Sequence, residues 1–518
     1  MPPMRGNWPA LVCLAVVGCN TPNPDARIQT AGDLAAQQLG QRPAWTLPWD
    51  DTLPAWTADG LLQPDEAVAL ALRNNRMLRA DLEMIGQADA DLVQAGLMQN
   101  PVINFMAMFP DGGGRAMLRG TGVPLQPLQD LWLIPARRKV ATAALQEAVL
   151  RVAGRAVETA AAAKAAYARV QYAQRALELL QESIELAEQS TRIVQTRQST
   201  GQVTQVAVNV ASIRAQRLRS ERVAMEAEHR AAQRELLLVL GLPGAPDRWA
   251  VAPINEMTDA LPLAQDEQEL VSLGADQRLD LKAAGWSLQS AEQRIGLRRL
   301  EGLPELALGF SFERSPAPRP ARGPTVPARV GNAVGQAVAN RVFGAEPGHA
   351  IPQISPWTVR ANEFTWTLGP MIDMTVPIFD QNQAQVAKAI HEYNQKLAEY
   401  QAREQEITRD IRTALLQQQQ AAAQAAFYRT SIMPEVERNL GLAQQSFVAG
   451  QDDLTVYLAA QEDLIMTRRR ILEFVRDYLV SRVELERAVG GRLEIPAPTS
   501  QPAPASTPAA PAETRPAE

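Results

Sequence analysis

The feature that most constrains this chain is an unbroken helical pattern from Lys139 to Ser199 with apolar residues at every seventh position. One heptad position holds Ala163, Val170, Leu177 and Ile184, and a second, three residues on, holds Ala166, Ala173, Leu180, Ala187 and Val194. A strict seven-residue repeat is typical of coiled-coil packing. At 1.5 Å per residue the helix is roughly 90 Å long, which excludes an ordinary globular domain.

A second long helix is predicted from Asn382 to Val448, with a kink at Pro434. Each long helix ends beside a glycine, Gly201 or Gly450, and a returning helix follows. Along the second return, the seven-residue spacing recurs at Tyr457, Leu464, Ile471 and Tyr478. The pattern therefore predicts two long helical hairpins.

The two hairpins belong to two copies of one design. A gapless repeat relates Leu78 to Leu281 and Pro101 to Pro304, each pair separated by 203 positions. Each copy is predicted to contain a helix, a strand, a loop, a returning strand and a long helical hairpin.

Four strands are predicted, two in each copy. Residues 304–314 and 365–376 alternate apolar and polar side chains with period two, which favours strands with one apolar face and one wet face. First-copy strands are expected near 102–109 and 125–134, where the alternation is weaker. The lengths fit the 9 to 11 residues of a tilted membrane strand, although a soluble β-sandwich produces the same alternation.

Four strands cannot close a membrane barrel, which needs about eight or more. An open sheet in lipid leaves its edge N–H and C=O groups without partners at a cost of several kcal/mol each. If the strands cross a membrane, subunits must pool them.

The first residues place Arg5 before an apolar run that ends in Gly18 and Cys19, which predicts an export signal over residues 1–18. A small residue directly before the cysteine resembles a bacterial lipobox, so Cys19 is expected to be acylated; the alternative is a plain secretory signal with an incidental cysteine. Asn20 after it implies sorting to the outer membrane.

We divide the rest into an N-terminal periplasmic segment (19–60), a first repeat (61–265), a second repeat (266–491) with a proline-rich extracellular loop (315–363), and a disordered Pro/Ala-rich tail (492–518).

Composition and motifs disfavour several function classes. Net charge is -6 and no basic stripe is interleaved with aromatic residues, so nucleic acid is not expected as a partner. The three histidines, His229, His349 and His391, have no metal-ligand spacing, and no catalytic constellation is evident. We expect no cofactor, no metal site and no enzyme activity.

The order of elements resembles the TolC family of outer-membrane efflux proteins. The strings LLQPDEAVALALRNNRMLRA, QRLDLKAA, GPMIDMTVPIFDQNQAQVAKA and FVAGQDDLTVYLAAQEDLI stand where that family carries similar ones, and the resemblance covers roughly residues 61–491. It implies a mainly α fold with a membrane β-barrel part: a homotrimer with a twelve-stranded barrel and a periplasmic tunnel of coiled-coil hairpins. VPIFDQNQAQVAKA and LIPARRKVA look most like the heavy-metal cation-efflux branch.

The resemblance also implies partners: a periplasmic adaptor, an inner-membrane transporter of the RND type and outer-membrane lipid. Residues at the helical turns are expected to form the periplasmic entrance. They are Phe447, Gly450, Asp452, Asp453 and Leu454 of the second turn and Gly201, Gln202 and Thr204 of the first.

Two interpretations of the acidic pair stay open. Asp452 is expected to cap the next helix, or three copies of both carboxylates gather near an axis and favour cations. Arg137, Arg138 and Lys139 likewise either contact lipid phosphates or form a solvated helix start.

The alternative function class is a lipid-anchored periplasmic scaffold or adaptor without a pore, because adaptors also carry long helical hairpins. The four amphipathic strands and the gapless duplication favour the passive export duct.

Overall fold

The computed structural model describes residues 22–45, 61–100, 102–108, 117–244, 249–254, 266–316 and 364–493. Cys19, the predicted signal peptide and the Pro/Ala-rich tail beyond Leu493 lie outside these residues, as does all of the predicted loop after Pro316. The chain divides into two compact units. Unit 1 comprises Met1–Ala90, Ala144–Leu288 and Lys396–Glu518, and unit 2 comprises Asp91–Ala143 and Gln289–Gln395. Each unit takes segments from both predicted repeats, whose boundaries stay a prediction.

Helices predominate among the described residues. They are α1 (Asp25–Leu39), α2 (Pro64–Asn74), α3 (Arg76–Ala95), α4 (Asp130–Ser199), α5 (Gln205–Val239), α6 (Glu267–Gln277), α7 (Leu279–Leu300), α8 (Gln383–Phe427), α9 (Met433–Ala449) and α10 (Leu454–Val489). The strands are β1 (Leu61–Leu62), β2 (Val102–Met108), β3 (Met117–Pro127), β4 (Ala250–Val251), β5 (Glu305–Pro316) and β6 (Phe364–Thr375).

The duplication is visible in the element boundaries. The starts of α2, α3 and β2 recur 203 residues later as the starts of α6, α7 and β5. Both helix pairs are separated by a single residue with extended backbone, Asn75 in the first copy and Arg278 in the second. The same sequence spacing has therefore produced the same local structure twice.

Long helices form where the heptads predict them. α4 has 70 residues, and its heptad residues Ala163, Val170, Ile184 and Val194 are buried. In α10, Tyr457, Leu464 and Tyr478 are buried as well. Ile184, Val194 and Tyr457 belong to two apolar clusters that contain residues of both hairpins of unit 1.

The predicted kink at Pro434 corresponds to a change of helix type. A π-helical segment, Tyr428–Ile432, lies between α8 and α9, and Pro434 occupies the first turn of α9. Proline has no N–H, and its ring clashes with the carbonyl four residues earlier. Widening the preceding turn relieves that clash, and such π-bulges often accompany a kink.

One first-copy strand lies elsewhere than predicted. β3 spans Met117–Pro127, and the apolar run expected to form a strand up to Ile134 instead opens α4 at Asp130. The Asp130 carboxylate accepts hydrogen bonds from the Gln99 N–H (2.9 Å) and from Arg137 (3.3 Å). A carboxylate in the first helical turn is stabilised by the helix dipole, and this interaction outweighs the strand propensity of the run.

Unit 2 contains a four-stranded antiparallel sheet with the strand order β2-β3-β5-β6. Directly opposed residues share a face of an antiparallel sheet. The pairs Leu306 with Met374, Leu308 with Ile372 and Phe312 with Leu368 therefore build one apolar face. The opposite face carries Glu305 with Thr375, Ala307 with Asp373 and Glu313 with Thr367. This alternation confirms the predicted two-faced strands of the second copy.

The apolar face extends into the first copy through Gly120, which pairs with Phe312. A Cβ atom at Gly120 would clash with the Phe312 ring, so only glycine lets that ring lie across β3. On the other face, Arg119 approaches Glu313 at 3.9 Å. Many large apolar side chains of this sheet are solvent-exposed in the single chain, among them Phe105, Leu308, Leu368 and Ile372. No helix in the described ranges is long and apolar enough to cross a membrane.

An ion-pair network around the buried Arg278 stabilises the α6–α7 junction. The Arg278 guanidinium lies 2.6 Å from Asp280 and 3.7 Å from Asp410, and it donates to the Ala488 carbonyl at the end of α10 (3.3 Å). Burial alone raises the pKa of Asp280, but the hydrogen bonds and positive charge of Arg278 outweigh it, so the net pKa is lowered.

The helical turns of unit 1 as the candidate functional site

Both turns predicted to form the entrance reverse direction at a glycine. Gly201 (φ 74°) follows α4 and Gly450 (φ 72°) follows α9. This left-handed backbone conformation is strained for residues that carry a Cβ. The Gln202 N–H then donates to the Arg197 carbonyl, and the Gln451 N–H to the Ser446 carbonyl, both at 2.9 Å. The two predicted glycine turns are therefore confirmed as local structure.

The returning helices are capped by side chains. Thr204 is the N-cap of α5, and its hydroxyl accepts from the Ala207 N–H at 3.4 Å. Asp453 is the N-cap of α10; its carboxylate accepts from the Leu454 N–H (2.7 Å) and the Thr455 hydroxyl (3.0 Å).

The prediction that Asp452 caps this helix is wrong by one residue. The Asp452 N–H still points back to the Ser446 carbonyl (3.4 Å), so the turn after α9 continues through this residue. The N-cap position needs extended backbone, which Asp453 adopts (φ -74°, ψ 153°). Among the described residues the exposed Asp452 carboxylate has no ion-pair or hydrogen-bond partner. The adjacent acids therefore differ: one caps a helix, and the other is a free charge.

Two predicted entrance residues are buried within the chain. Phe447 and Leu454 have 4% and 3% of their surfaces exposed and belong to an apolar cluster with Val194, Val208 and Tyr457. The Phe447 and Tyr457 rings stack with centroids 5.5 Å apart. These side chains support the turns from inside. The remaining predicted residues, Gly201, Gln202, Thr204, Gly450, Asp452 and Asp453, are exposed.

Arg197 joins the two turns, and sequence reasoning missed it. Its guanidinium donates to the Phe447 carbonyl (2.7 Å) and the Val448 carbonyl (3.0 Å) at the end of α9. It also lies over the Phe447 ring, 4.3 Å from the centroid. A cation at a helix C-terminus satisfies carbonyls that have no partner inside the helix. The only sequence signal for this role is that Arg197 lies in the last turn of α4. Its partner Phe447 is 250 residues away in the sequence.

Two more polar side chains, Gln461 and Arg214, join the same hairpins. The buried Gln461 side chain of α10 donates to the Ser190 hydroxyl of α4 at 2.8 Å. Arg214 of α5 donates to the Leu458 carbonyl and lies 3.6 Å from Glu462. Burial lowers the pKa of Arg214, and Glu462 partly offsets this effect. With Arg197, these contacts fix the α4–α5 turn against the α9–α10 turn at three levels.

Within the described ranges, no group of three or more His, Cys, Asp or Glu residues is placed to hold a metal ion. The exposed groups at the turns are backbone amides, a hydroxyl, an amide side chain and carboxylates.

Comparison with known proteins identifies the fold. Residues 270–491 match the model of the outer membrane efflux protein family. The cobalt-zinc-cadmium resistance protein CzcC of Cupriavidus metallidurans is 22% identical over 433 residues, which cover 84% of this chain and 91% of CzcC. A solved membrane protein from Pseudomonas aeruginosa aligns with a TM-score of 0.63 at 20% identity, over 82% of this chain and 92% of its own length. The solved structure of CusC aligns with a TM-score of 0.62 at 19% identity, over 87% of this chain and 98% of CusC. By these comparisons, residues 270–491 are similar to the outer membrane efflux protein family, and the fold of the chain is that of the two solved structures.

Proposed function

We propose that this chain is the outer-membrane duct of a tripartite efflux pump and lets its cargo pass to the exterior without catalysing a reaction. The observation that carries the proposal is the four-stranded sheet, which has one exposed apolar face and one polar face. Strands of this kind separate lipid from a water-filled lumen. The match of residues 270–491 to the outer membrane efflux protein family supports the same role.

The working form is a homotrimer. β2 and β6 are the outer strands of the sheet, and their outer edges have no strand partner in the described part of the chain. Edge groups in lipid must be paired, and three copies supply twelve strands, enough for a closed barrel. The long hairpins of three chains then form the periplasmic tunnel.

The helical turns form the entrance and the docking site for a periplasmic adaptor and an inner-membrane transporter of the RND type. The exposed, unpaired Asp452 carboxylate supports a cation-favouring entrance, because three copies near an axis lower the local potential. The cobalt-zinc-cadmium resistance relative supports divalent metal cations as one cargo class. Acylated Cys19 anchors the chain to the periplasmic side of the outer membrane, and the barrel supplies most of the attachment.

The test is ion conductance of the purified protein in planar bilayers, combined with its oligomeric mass. We expect stepwise conductance from a trimer. A matched pair of variants tests the two faces: Ile372→Asp places a carboxylate on the apolar face, and Thr367→Asp places one on the polar face. A charge facing lipid costs about 2–4 kcal/mol for Arg or Lys at the bilayer midplane and less for a carboxylate, so Ile372→Asp should reduce the number of channels inserted, and Thr367→Asp should not. A silent, monomeric, soluble wild-type protein would overturn the proposal.

A further inference from the structure

Exposed apolar side chains stand at the helix-side end of every strand of the four-stranded sheet. We call these residues the collar: Leu97 and Met98 before β2, Leu131 after β3, Leu303 before β5, and Ile378 and Phe379 after β6. Phe379 is 93% exposed and Leu131 is 67% exposed. All six lie in unit 2. Large apolar side chains this exposed at all four strand–helix junctions indicate a surface that is covered by another molecule.

The collar continues the exposed apolar face of the sheet. Ile372 and Met374 are exposed on the apolar face of the last strand, and Val376 and Ile378 are exposed just past the strand end at Thr375, where the chain turns. Whatever covers the sheet face therefore extends over the collar. This inference rests on the proposed function, in which the molecules that cover the sheet face are lipids.

Cationic side chains without acidic partners lie next to the collar. Arg138, Lys139 and Arg299 are exposed, and among the described residues they have no ion-pair partner. Four acids on the same helices and turns are engaged elsewhere, whereas Glu292 of α7 and Glu305 of β5 have no ion-pair partner among the described residues. Asp130 binds Arg137, Glu301 binds Arg298, Glu392 binds Arg294, and Asp380 accepts the Asn382 N–H.

Spacing relates these cations to the collar. Arg138 follows Leu131 by seven residues on α4, which places both on one helix face about 10 Å apart along the axis. The headgroup layer on each side of a bilayer is roughly 5–8 Å thick. A long arginine side chain that extends toward the membrane reaches a phosphate while its methylenes stay near apolar groups.

We propose that the collar, together with Arg138, Lys139 and Arg299, is a binding surface for anionic phospholipid in the periplasm-facing leaflet of the outer membrane. The collar inserts at the boundary of headgroups and acyl chains, and the three cations contact headgroup phosphates. The solvated helix start considered for Arg138 and Lys139 predicts no lipid preference, so the two interpretations can be separated.

The first experiment measures lipid preference. The full-length trimer is reconstituted in phosphatidylcholine vesicles with a small amount of spin-labelled phosphatidylglycerol or spin-labelled phosphatidylcholine, and the immobilised fraction of each label gives their relative association constants. A cation near the membrane surface favours anionic lipid by about fivefold. We expect a several-fold preference for phosphatidylglycerol, which falls toward equality in the variant Arg138→Gln, Lys139→Gln, Arg299→Gln.

A matched control removes three other exposed arginines that have no ion-pair partner among the described residues, Arg192, Arg217 and Arg234 of α4 and α5 in unit 1. Their replacement by glutamine gives the same change in net charge and should leave the preference intact. Equal loss in both variants would mean that only net charge matters, and no loss in the first would mean that the cations do not bind lipid. Either result overturns the proposal.

The second experiment measures depth. Nitroxide labels are attached at Phe379→Cys in the collar, at Ile372→Cys on the sheet face and at Gln202→Cys in the exposed α4–α5 turn. Positions 372 and 379 should collide mainly with oxygen, and position 202 mainly with a water-soluble nickel chelate. If only the label at position 379 collides mainly with the nickel chelate, the lipid-binding collar is refuted and the proposed duct function still stands. Water-like behaviour at both 372 and 379, with no conductance, would refute the duct itself.

Discussion

Arg197 offers the sharpest test of how the two helical turns are held together. The change is Arg197→Gln, which removes a cation that donates to two carbonyls at the end of α9 and lies over the Phe447 ring. Hydrogen bonds from charged donors contribute about 1.5–3 kcal/mol, and a cation–π contact about 0.5–1 kcal/mol at exposed sites. Because Arg197 is half-buried and glutamine can still make one neutral bond, we expect a net local loss of about 2 kcal/mol.

The loss should appear as faster amide hydrogen exchange in the turn. The Gly450 and Gln451 N–H groups donate to the Phe447 and Ser446 carbonyls, so they report directly on opening of the α9 end. A loss of about 2 kcal/mol corresponds to an increase of roughly 30-fold in their exchange rate. Arg197→Lys keeps the charge but not the two-pronged geometry and should give an intermediate increase.

Arg192→Gln is the control, since Arg192 is exposed on the same helix and has no ion-pair partner among the described residues. Its exchange pattern at Gly450 and Gln451 should match that of the wild type. If Arg197→Gln changes these rates less than twofold, or if Arg192→Gln changes them equally, the two carbonyl contacts do not hold the turn and the reasoning fails.

Four further predictions concern single groups. Asp453→Ala should cost about 1 kcal/mol of local stability, seen as faster amide exchange in the first turn of α10, whereas Asp452→Ala should leave that turn unchanged; equal effects would contradict the cap assignment. Asp452→Asn should lower the cation selectivity of the channel, measured as reversal potential in a salt gradient, and an unchanged potential would show that the charge does not line the entrance. The lowered pKa of Asp280 means that its contribution is present above its unfolded pKa of about 4 and is lost as pH falls through the folded value. Asp280→Asn should therefore be destabilising at pH 6 but show a smaller drop in melting temperature between pH 6 and pH 3 than the wild type. Cys19→Ser should abolish incorporation of labelled fatty acid, and label that persists would exclude acylation of this residue.

Periodicity predicted the elements whose stability comes from their own pattern. The heptads predict which residues of α4 and α10 are buried together, and the alternation predicts which residues of β5 and β6 share a face. Those elements therefore lie where expected. The first-copy strand failed because Leu131 to Ile134 is apolar in either conformation. The contacts of Asp130 with Gln99 and Arg137 stabilise the helical conformation of this segment, and sequence spacing does not reveal these contacts.

The turns were predicted in outline and missed in detail for a related reason. Gly201 and Gly450 are local signals, since each needs only its own backbone conformation. Which of two adjacent aspartates caps α10 depends on how far the preceding turn extends, and this differs by one residue from the expectation. Arg197 acts on a segment 250 residues away, so no window of sequence contains both partners.

The Arg197 contact has a consequence for how sequences with this fold can vary. Both of its hydrogen bonds end on main-chain oxygens, at Phe447 and Val448. Every residue type offers the same carbonyl, so the side chain at position 448 can be replaced in evolution without breaking either bond. The two hairpins can therefore stay in contact through Arg197 while the residue type at position 448 changes. We expect an alignment of relatives to contain no compensating substitution between positions 197 and 448. Physical coupling of this kind leaves no co-variation and is found only from coordinates.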